Sequence, residues 1–180
     1  MAFLGRSNVG KSSLLNALVG VRGLARVSAQ PGRTRLVNFF RVNDELYFAD
    51  LPGYGYARVP EAMRRSWEGL VTSYLEDRAP LALSVFLVDA RHDPMKGDEM
   101  LRRYLDHRGV PYVVAATKSD HLSRDRARRR VAELRAVFRG AADVVATSAE
   151  TGEGLEALWK TIRAAVEGRA RRREARHAGD

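Results

Sequence analysis

The sequence predicts an α/β protein, a mostly parallel, doubly wound sheet flanked by helices, and three observations predict it. The near-continuous apolar run at 81–88 lacks polar alternation, as a strand buried on both faces does. Helical and strand segments alternate through the second half of the chain, which implies right-handed crossovers between parallel strands. Short motifs of small and polar residues follow the strand ends at Gly5, Asp50, Thr117 and Thr147. All four therefore fall on the one sheet edge where doubly wound folds bind ligands.

Taken in order, residues 2–4 end a strand that runs into a glycine loop. Leu14, Leu15, Leu18 and Val19 give helical spacing over 11–19. Residues 20–35 are polar, glycine-bearing and aperiodic, which reads as a mobile loop. The runs 36–42 and 45–49 flank Asn43-Asp44 and form a hairpin. A Gly/Tyr-rich loop follows, then a helix from about Pro60 that places Trp67, Leu70, Val71, Tyr74 and Leu75 on one packing face. After strand 81–88 come helix 97–108, strand 110–116, helix 123–138, strand 143–147 and helix 153–168. One domain thus covers 1–168, with its first strand cut short, and 169–180 read as a basic, disordered tail.

At 180 residues and 45% hydrophobic content the chain is long enough for one well-cored domain. No run approaches the ~18 apolar residues of a membrane span, and the N-terminus has no signal-peptide apolar region. Zero cysteines exclude disulfides and thiolate metal sites and fit a cytoplasmic protein. The net charge of +9 points to a polyanionic partner, or to a solvated surface rich in arginine.

Gly5-Arg6-Ser7-Asn8-Val9-Gly10-Lys11-Ser12 has the spacing of a phosphate-binding loop. Gly5 and Gly10 permit backbone conformations that side chains block. The N–H groups from Asn8 to Ser13 can then face phosphates, aided by the following helix N-terminus. Lys11 would reach the β- and γ-phosphates and Ser12 would ligate Mg²⁺. Of 31 basic residues only Lys11, Lys96, Lys118 and Lys160 are lysines, yet both nucleotide-motif positions have one. A compact ammonium fits such sites where a guanidinium fork does not.

Asp50-Leu51-Pro52-Gly53 supplies a strand-end carboxylate for a Mg²⁺-bound water and a Gly53 N–H for the γ-phosphate. Thr34, preceded by Gly32 and Arg33, suits a further Mg²⁺ contact and positioning of the attacking water. The expected metal set is Ser12, Thr34 and Asp50; the catalytic candidates are Lys11, Thr34 and Gly53. Thr117-Lys118-Ser119-Asp120 and Thr147-Ser148-Ala149 compose a guanine pocket. Asp120 accepts from the guanine N1–H and amine, Lys118 covers the base and the Ala149 N–H meets O6. Adenine would leave that carboxylate unpaired, which excludes ATP strongly. Each motif alone has a plainer reading, a glycine turn or a helix cap. Their order and spacing together imply hydrolysis of GTP to GDP.

With these residues in view, the chain resembles the bacterial ribosome-assembly GTPases of the EngB type from Phe3 to about Trp159. The closest matches are 5–16, Gln30-Pro31-Gly32-Arg33-Thr34 with Asn38-Phe39-Phe40, 50–57 and 117–120, together with Asp89-Ala90-Arg91-His92, Pro94 and Asp98. Gly53-Tyr54-Gly55-Tyr56 and the stretch 89–94 distinguish this family among small GTPases. The resemblance implies a P-loop small-GTPase fold and a cytoplasmic protein in large-subunit assembly, with ribosomal RNA as the polyanion. A monomer without membrane contact is expected. Relatives carry more residues ahead of the first strand, and His121 stands where they have lysine.

Many GTPases place glutamine after Asp-x-x-Gly to orient water. Tyr54 stands there instead, so unaided turnover should be on the order of 10⁻³ s⁻¹ or less. Asn8 has two readings: a K⁺ ligand beside the phosphates, or a side-chain cap that stabilises the loop. Arg26, Arg33 and Arg35 in the first loop, with Arg58, Arg64 and Arg65 about the second, would gather against RNA once GTP orders both; the alternative is solvated surface. The main expectation is a GTP switch on pre-ribosomal particles. The other is a constitutive RNA-binding factor that uses nucleotide structurally.

Overall fold

The computed structural model describes residues 1–25, 37–55, 69–76 and 80–177. Its strands are β1 (Ala2–Gly5), β2 (Asn38–Val42), β3 (Leu46–Asp50), β4 (Ser84–Asp89), β5 (Tyr112–Thr117) and β6 (Val144–Ala146). They form one sheet in the order β2-β3-β1-β4-β5-β6. Only β2 and β3 pair antiparallel; the other pairs are parallel. The helices are α1 (Lys11–Val19), α2 (helical over 69–75), α3 (Lys96–Arg108), α4 (Arg124–Val137) and α5 (Leu155–His177).

The central strands are apolar because both faces are covered. Alternate residues feed opposite layers, as a two-residue repeat requires. Phe86, Val88, Tyr112 and Val114 pack with Leu101 and Leu105 of α3 and Leu134 of α4. Phe3, Val85, Leu87 and Val113 pack with Leu14, Leu15 and Leu18 of α1 and Leu158 and Ile162 of α5. Phe86 meets Phe138 edge-on at 5.3 Å, a favoured ring geometry. On the opposite layer Trp159 lies 5.6 Å from the Phe48 ring and its Nε1 donates to the Leu18 carbonyl at 2.9 Å.

The hairpin forms where Asn43-Asp44 predicted it. Both residues take left-handed φ, 50° and 57°, and Glu45 N–H closes the turn on the Val42 carbonyl at 3.2 Å. Asn and Asp tolerate that region better than other side chains. The C-terminal helix departs from expectation. The sequence reading has a disordered tail from 169, whereas α5 continues to His177. Alanine and arginine are strong helix formers, Glu167 and Arg171 form an i,i+4 pair, and Arg169 Nη1 donates to the Leu81 carbonyl at 3.1 Å. Among the described residues no helix is long and apolar enough to cross a membrane.

Trp159→Phe keeps a ring against Phe48 but deletes the indole donor, leaving the Leu18 carbonyl short of a partner. The expected loss is about 1 kcal/mol of unfolding free energy. Urea denaturation checks it, and an unchanged midpoint contradicts the assigned role.

Candidate nucleotide site

Every parallel strand delivers a polar residue or loop to one sheet edge. β1 ends at Gly5, β3 at Asp50, β4 at Asp89 and β5 at Thr117. Asp50 lies opposite Phe3, and Asp89 opposite Thr117, in the strand registers.

The loop after β1 carries left-handed φ at Asn8 (63°) and Gly10 (100°). Such left-handed steps are the backbone form in which successive N–H groups line an anion-binding concavity. Gly5 is required by packing, since a Cβ there would lie 2.9 Å from Val9 Cγ1 and 3.1 Å from Leu87 Cβ. Lys11 opens α1, is buried, and pairs with the Asp50 carboxylate at the end of β3. The phosphate-loop lysine and the strand-end aspartate thus share one small space. Ser12, half-buried, follows in the first turn of α1.

The segment after β3 is pressed onto this loop. A Cβ on Gly53 would sit 2.9 Å from Ser7 N. Ser7 N–H donates to the Tyr54 carbonyl at 2.8 Å, and Tyr54 N–H to the Gly5 carbonyl at 3.3 Å. Leu51 and Pro52 are buried beside it. The Tyr54 hydroxyl donates at 2.6 Å to Asp98 Oδ1, while Asp98 Oδ2 accepts the Met95 N–H at 2.7 Å and so caps α3. Burial, then the Asp98 charge and hydrogen bond, push the Tyr54 phenol well above its ordinary pKa. It stays a neutral donor and is no proton acceptor.

On the other flank, Thr117 Oγ1 donates to the Val9 carbonyl at 2.6 Å and also lies 3.1 Å from the Val88 carbonyl. Lys118, itself left-handed at φ 61°, donates to the Asn8 carbonyl at 2.8 Å and to Asp89 Oδ2 at 3.0 Å. Asp89 also receives Arg91 Nε at 2.9 Å and Nη2 at 2.8 Å. Burial opposes ionisation of Asp89, but the hydrogen bonds from Arg91 and Lys118 outweigh it and hold the carboxyl far below its usual range.

Asp120 is exposed, and the Ser148 hydroxyl beside it, more than His121 or Arg91, lowers its pKa against the smaller effect of burial. Ser148 is fully buried, and its oxygen accepts the N–H groups of Glu150 (3.2 Å) and Thr151 (3.1 Å). Ser119 N–H donates to the Thr147 carbonyl at 3.2 Å, and Ser119 Oγ to Glu153 Oε2 at 3.0 Å. Ala149 sits exposed on the rim. The two segments read separately in the sequence are therefore one hydrogen-bonded unit.

Gly32, Arg33 and Thr34 lie outside the described residues, as do Arg26, Arg35, Arg58, Arg64 and Arg65. Of the expected metal set, Ser12 and Asp50 remain; hydroxyl and carboxylate oxygens are the hard donors Mg²⁺ takes, so the residues present fit it. Sequence reasoning gave no role to Asp89, Asp98 or Glu153, which orient Lys118, Tyr54 and Ser119. Asp89 could have been noticed as another strand-end carboxylate.

Comparison with known proteins agrees with this arrangement. Residues 1–118 match the family model described as 50S ribosome-binding GTPase. The chain is 46% identical over 169 residues to the "Probable GTP-binding protein EngB" of Solibacter usitatus, covering 94% of this chain and 87% of that one. It is 48% identical over 165 residues to the protein of the same name from Syntrophus aciditrophicus, covering 92% and 84%. Among solved structures, a probable GTP-binding protein EngB superposes with TM-score 0.77 at 24% identity, over 93% of this chain and 98% of that one. Era in complex with MgGDPNP and a segment of 16S ribosomal RNA superposes with TM-score 0.74 at 26% identity, over 89% and 54%.

Tyr54→Phe removes one donor from a buried carboxylate. The expected cost is about 1.5–3 kcal/mol of stability, as for hydrogen bonds to charged groups. Chemical denaturation measures it; a variant as stable as the parent would mean that the Asp98 contact is not formed in solution.

Proposed function

The chain belongs to the EngB family of GTP-binding proteins and is a P-loop GTPase; from that premise we propose that it is a Mg²⁺-dependent switch acting on the large ribosomal subunit during its assembly. The observation that carries the reading is the joining of the phosphate loop to the base-side segment through Thr117 and Lys118. A nucleotide held there is gripped at both ends by one rigid frame. The description of the matching family model as ribosome-binding supports the partner, and the net charge of +9 suits RNA. A cytoplasmic, monomeric protein goes with that role.

In this reading the N–H groups of residues 8–13 hold the phosphates, and Asp120 with the Ala149 N–H reads guanine. Ser12, Asp50 and Thr34 would hold Mg²⁺, which when bound neutralises charge on the β- and γ-phosphate oxygens. A triphosphate offers Lys11 a denser negative charge than one carboxylate. Loading therefore exchanges the Lys11–Asp50 pair for a Lys11–phosphate contact and frees the Asp50 carboxylate. Thr34 and the Gly53 N–H position water and γ-phosphate for in-line attack; the bridging P–O bond breaks to leave GDP and phosphate. With the Tyr54 hydroxyl committed to Asp98, position 54 offers no group to orient the water, and unaided turnover is slow. The Asn8 carbonyl accepts Lys118, so any K⁺ ligand from this residue would be its side-chain oxygen.

Asp120→Asn tests the base reading and the switch together. GTP affinity should fall by about a hundredfold or more, because the carboxylate that would pair with two guanine donors is mismatched, while xanthosine triphosphate gains. Co-sedimentation of the parent chain with large subunits should be stronger with a GTP analogue than with GDP, and in the variant should follow the xanthine nucleotide. Equal sedimentation in every nucleotide state would replace the switch with a constitutive binding factor.

A further inference from the structure

Helix α4 crowds positive charge into its N-terminal turns, where the helix dipole disfavours it. α3 has Asp98 and Glu99 in its first turn and His107 and Arg108 in its last, complementing the helix dipole. α4 instead places Arg124, Arg126, Arg128 and Arg129 in its first two turns, at the positive end, with Asp125 the sole acid among them. Arg124 and Arg128 are four residues apart, as are Arg126 and Arg130, and like charges at that spacing repel. The helix's other two arginines have local partners: Arg130 pairs with Asp93 and Glu133, and Arg135 with Asp143. Among the described residues Arg124, Arg126, Arg128 and Arg129 make no ion pair, and all four are exposed. Folding gains nothing electrostatic from this cluster.

The cluster borders a groove of about 480 Å³ lined by Arg126, Arg129 and Arg130 and, from the segment after β4, by His92 and by Arg91, whose fork is held by Asp89. The acids along it, Asp93 and Glu133, are both taken by Arg130. From Arg124 to Arg135 the basic face extends about 16 Å at 1.5 Å per residue. Its exposed positions hold alanine and charged residues, and the exposed large apolar group on α4 is Val137, at the last position. A protein interface takes aromatic or aliphatic anchors at its centre, and an interfacial helix takes an apolar face. Neither is present. Guanidinium forks without apolar anchors match phosphate oxygens, which they bind bidentately.

We propose that the arginine face of α4, with the adjoining groove to Arg91 and His92, docks the phosphate backbone of ribosomal RNA. The proposal rests on the ribosomal reading above and gives it a location. α4 is packed on the sheet through Ala127 and Leu134 and begins just past Asp120, on the base side of the nucleotide site. The helix itself carries none of the groups expected to sense the γ-phosphate. The docking it provides is therefore independent of whether GTP or GDP is bound, a constant anchor beneath any switched contact.

The test compares the full chain with the variant Arg124→Gln/Arg128→Gln/Arg129→Gln and a charge-matched control on α5, Lys160→Gln/Arg171→Gln/Arg172→Gln. Binding to purified large ribosomal subunits and to protein-free large-subunit RNA is measured across a salt series, with a GTP analogue and with GDP. The α4 variant should bind both targets about tenfold or more weakly, with a log–log salt slope smaller by about 2–3, since three phosphate contacts are lost. The loss should be the same in both nucleotide states, and the control should stay within about twofold of the parent. The α4 variant should also melt at a higher temperature than the parent, because like-charge repulsion is relieved. Parental binding by the α4 variant, an equal loss in the control, or a loss confined to one nucleotide state would overturn the proposal. So would a loss on subunits but not on stripped RNA, which would assign the face to a ribosomal protein. A parent chain that binds neither target would remove the ribosomal reading itself, whereas failure of the α4 variant alone to differ would leave that reading standing.

Discussion

Two contacts from the end of β5 govern the site. The Thr117 hydroxyl and the Lys118 ammonium reach the Val9 and Asn8 carbonyls, spanning 108 and 110 residues of chain. A trans peptide holds each C=O antiparallel to the next N–H. Fixing the Val9 carbonyl on Thr117 therefore aims the Gly10 N–H to the opposite side of the loop. The base-side segment in this way sets the orientation of a phosphate-side donor. Asp89 accepts from both Lys118 and Arg91 and so holds the lysine in place.

A second tie fixes the start of the segment after Asp50. Tyr54 is bridged to Arg6 through the backbone and to Asp98 through its hydroxyl. Gly97 takes part sterically, since a Cβ there would lie 3.0 Å from Tyr54 Cδ2. Motion of Gly53 on nucleotide exchange would be felt at the N-terminus of α3, because one buried carboxylate both caps that helix and holds the tyrosine. The residue standing where many GTPases keep a water-orienting glutamine is here a structural link.

Much of this was legible in the chain. The near-continuous apolar run at 81–88 marks a strand covered on both faces, Asn43-Asp44 marks a turn requiring positive φ, and the glycine spacing from Gly5 marks the phosphate loop. These are local signals, and each has a local physical cause. The links Tyr54–Asp98 and Asp89–Lys118 join residues 44 and 29 positions apart, and neither periodicity nor spacing reports which distant polar groups will meet. The continuation of α5 to His177 was missed for a different reason. A high arginine density reads as a solvated tail, whereas arginine and alanine propensity, one i,i+4 pair and the Arg169 contact with Leu81 keep the helix intact.

The phosphate loop owes its shape to the base-side segment. Thr117→Val deletes the buried hydroxyl at similar volume, and affinity for inorganic tripolyphosphate with Mg²⁺, a ligand that never enters the base pocket, reports on the phosphate loop alone. This variant, still folded by circular dichroism, should bind tripolyphosphate about tenfold more weakly, in line with one lost buried hydrogen bond. Unchanged tripolyphosphate binding, with any loss confined to GTP, would contradict that dependence.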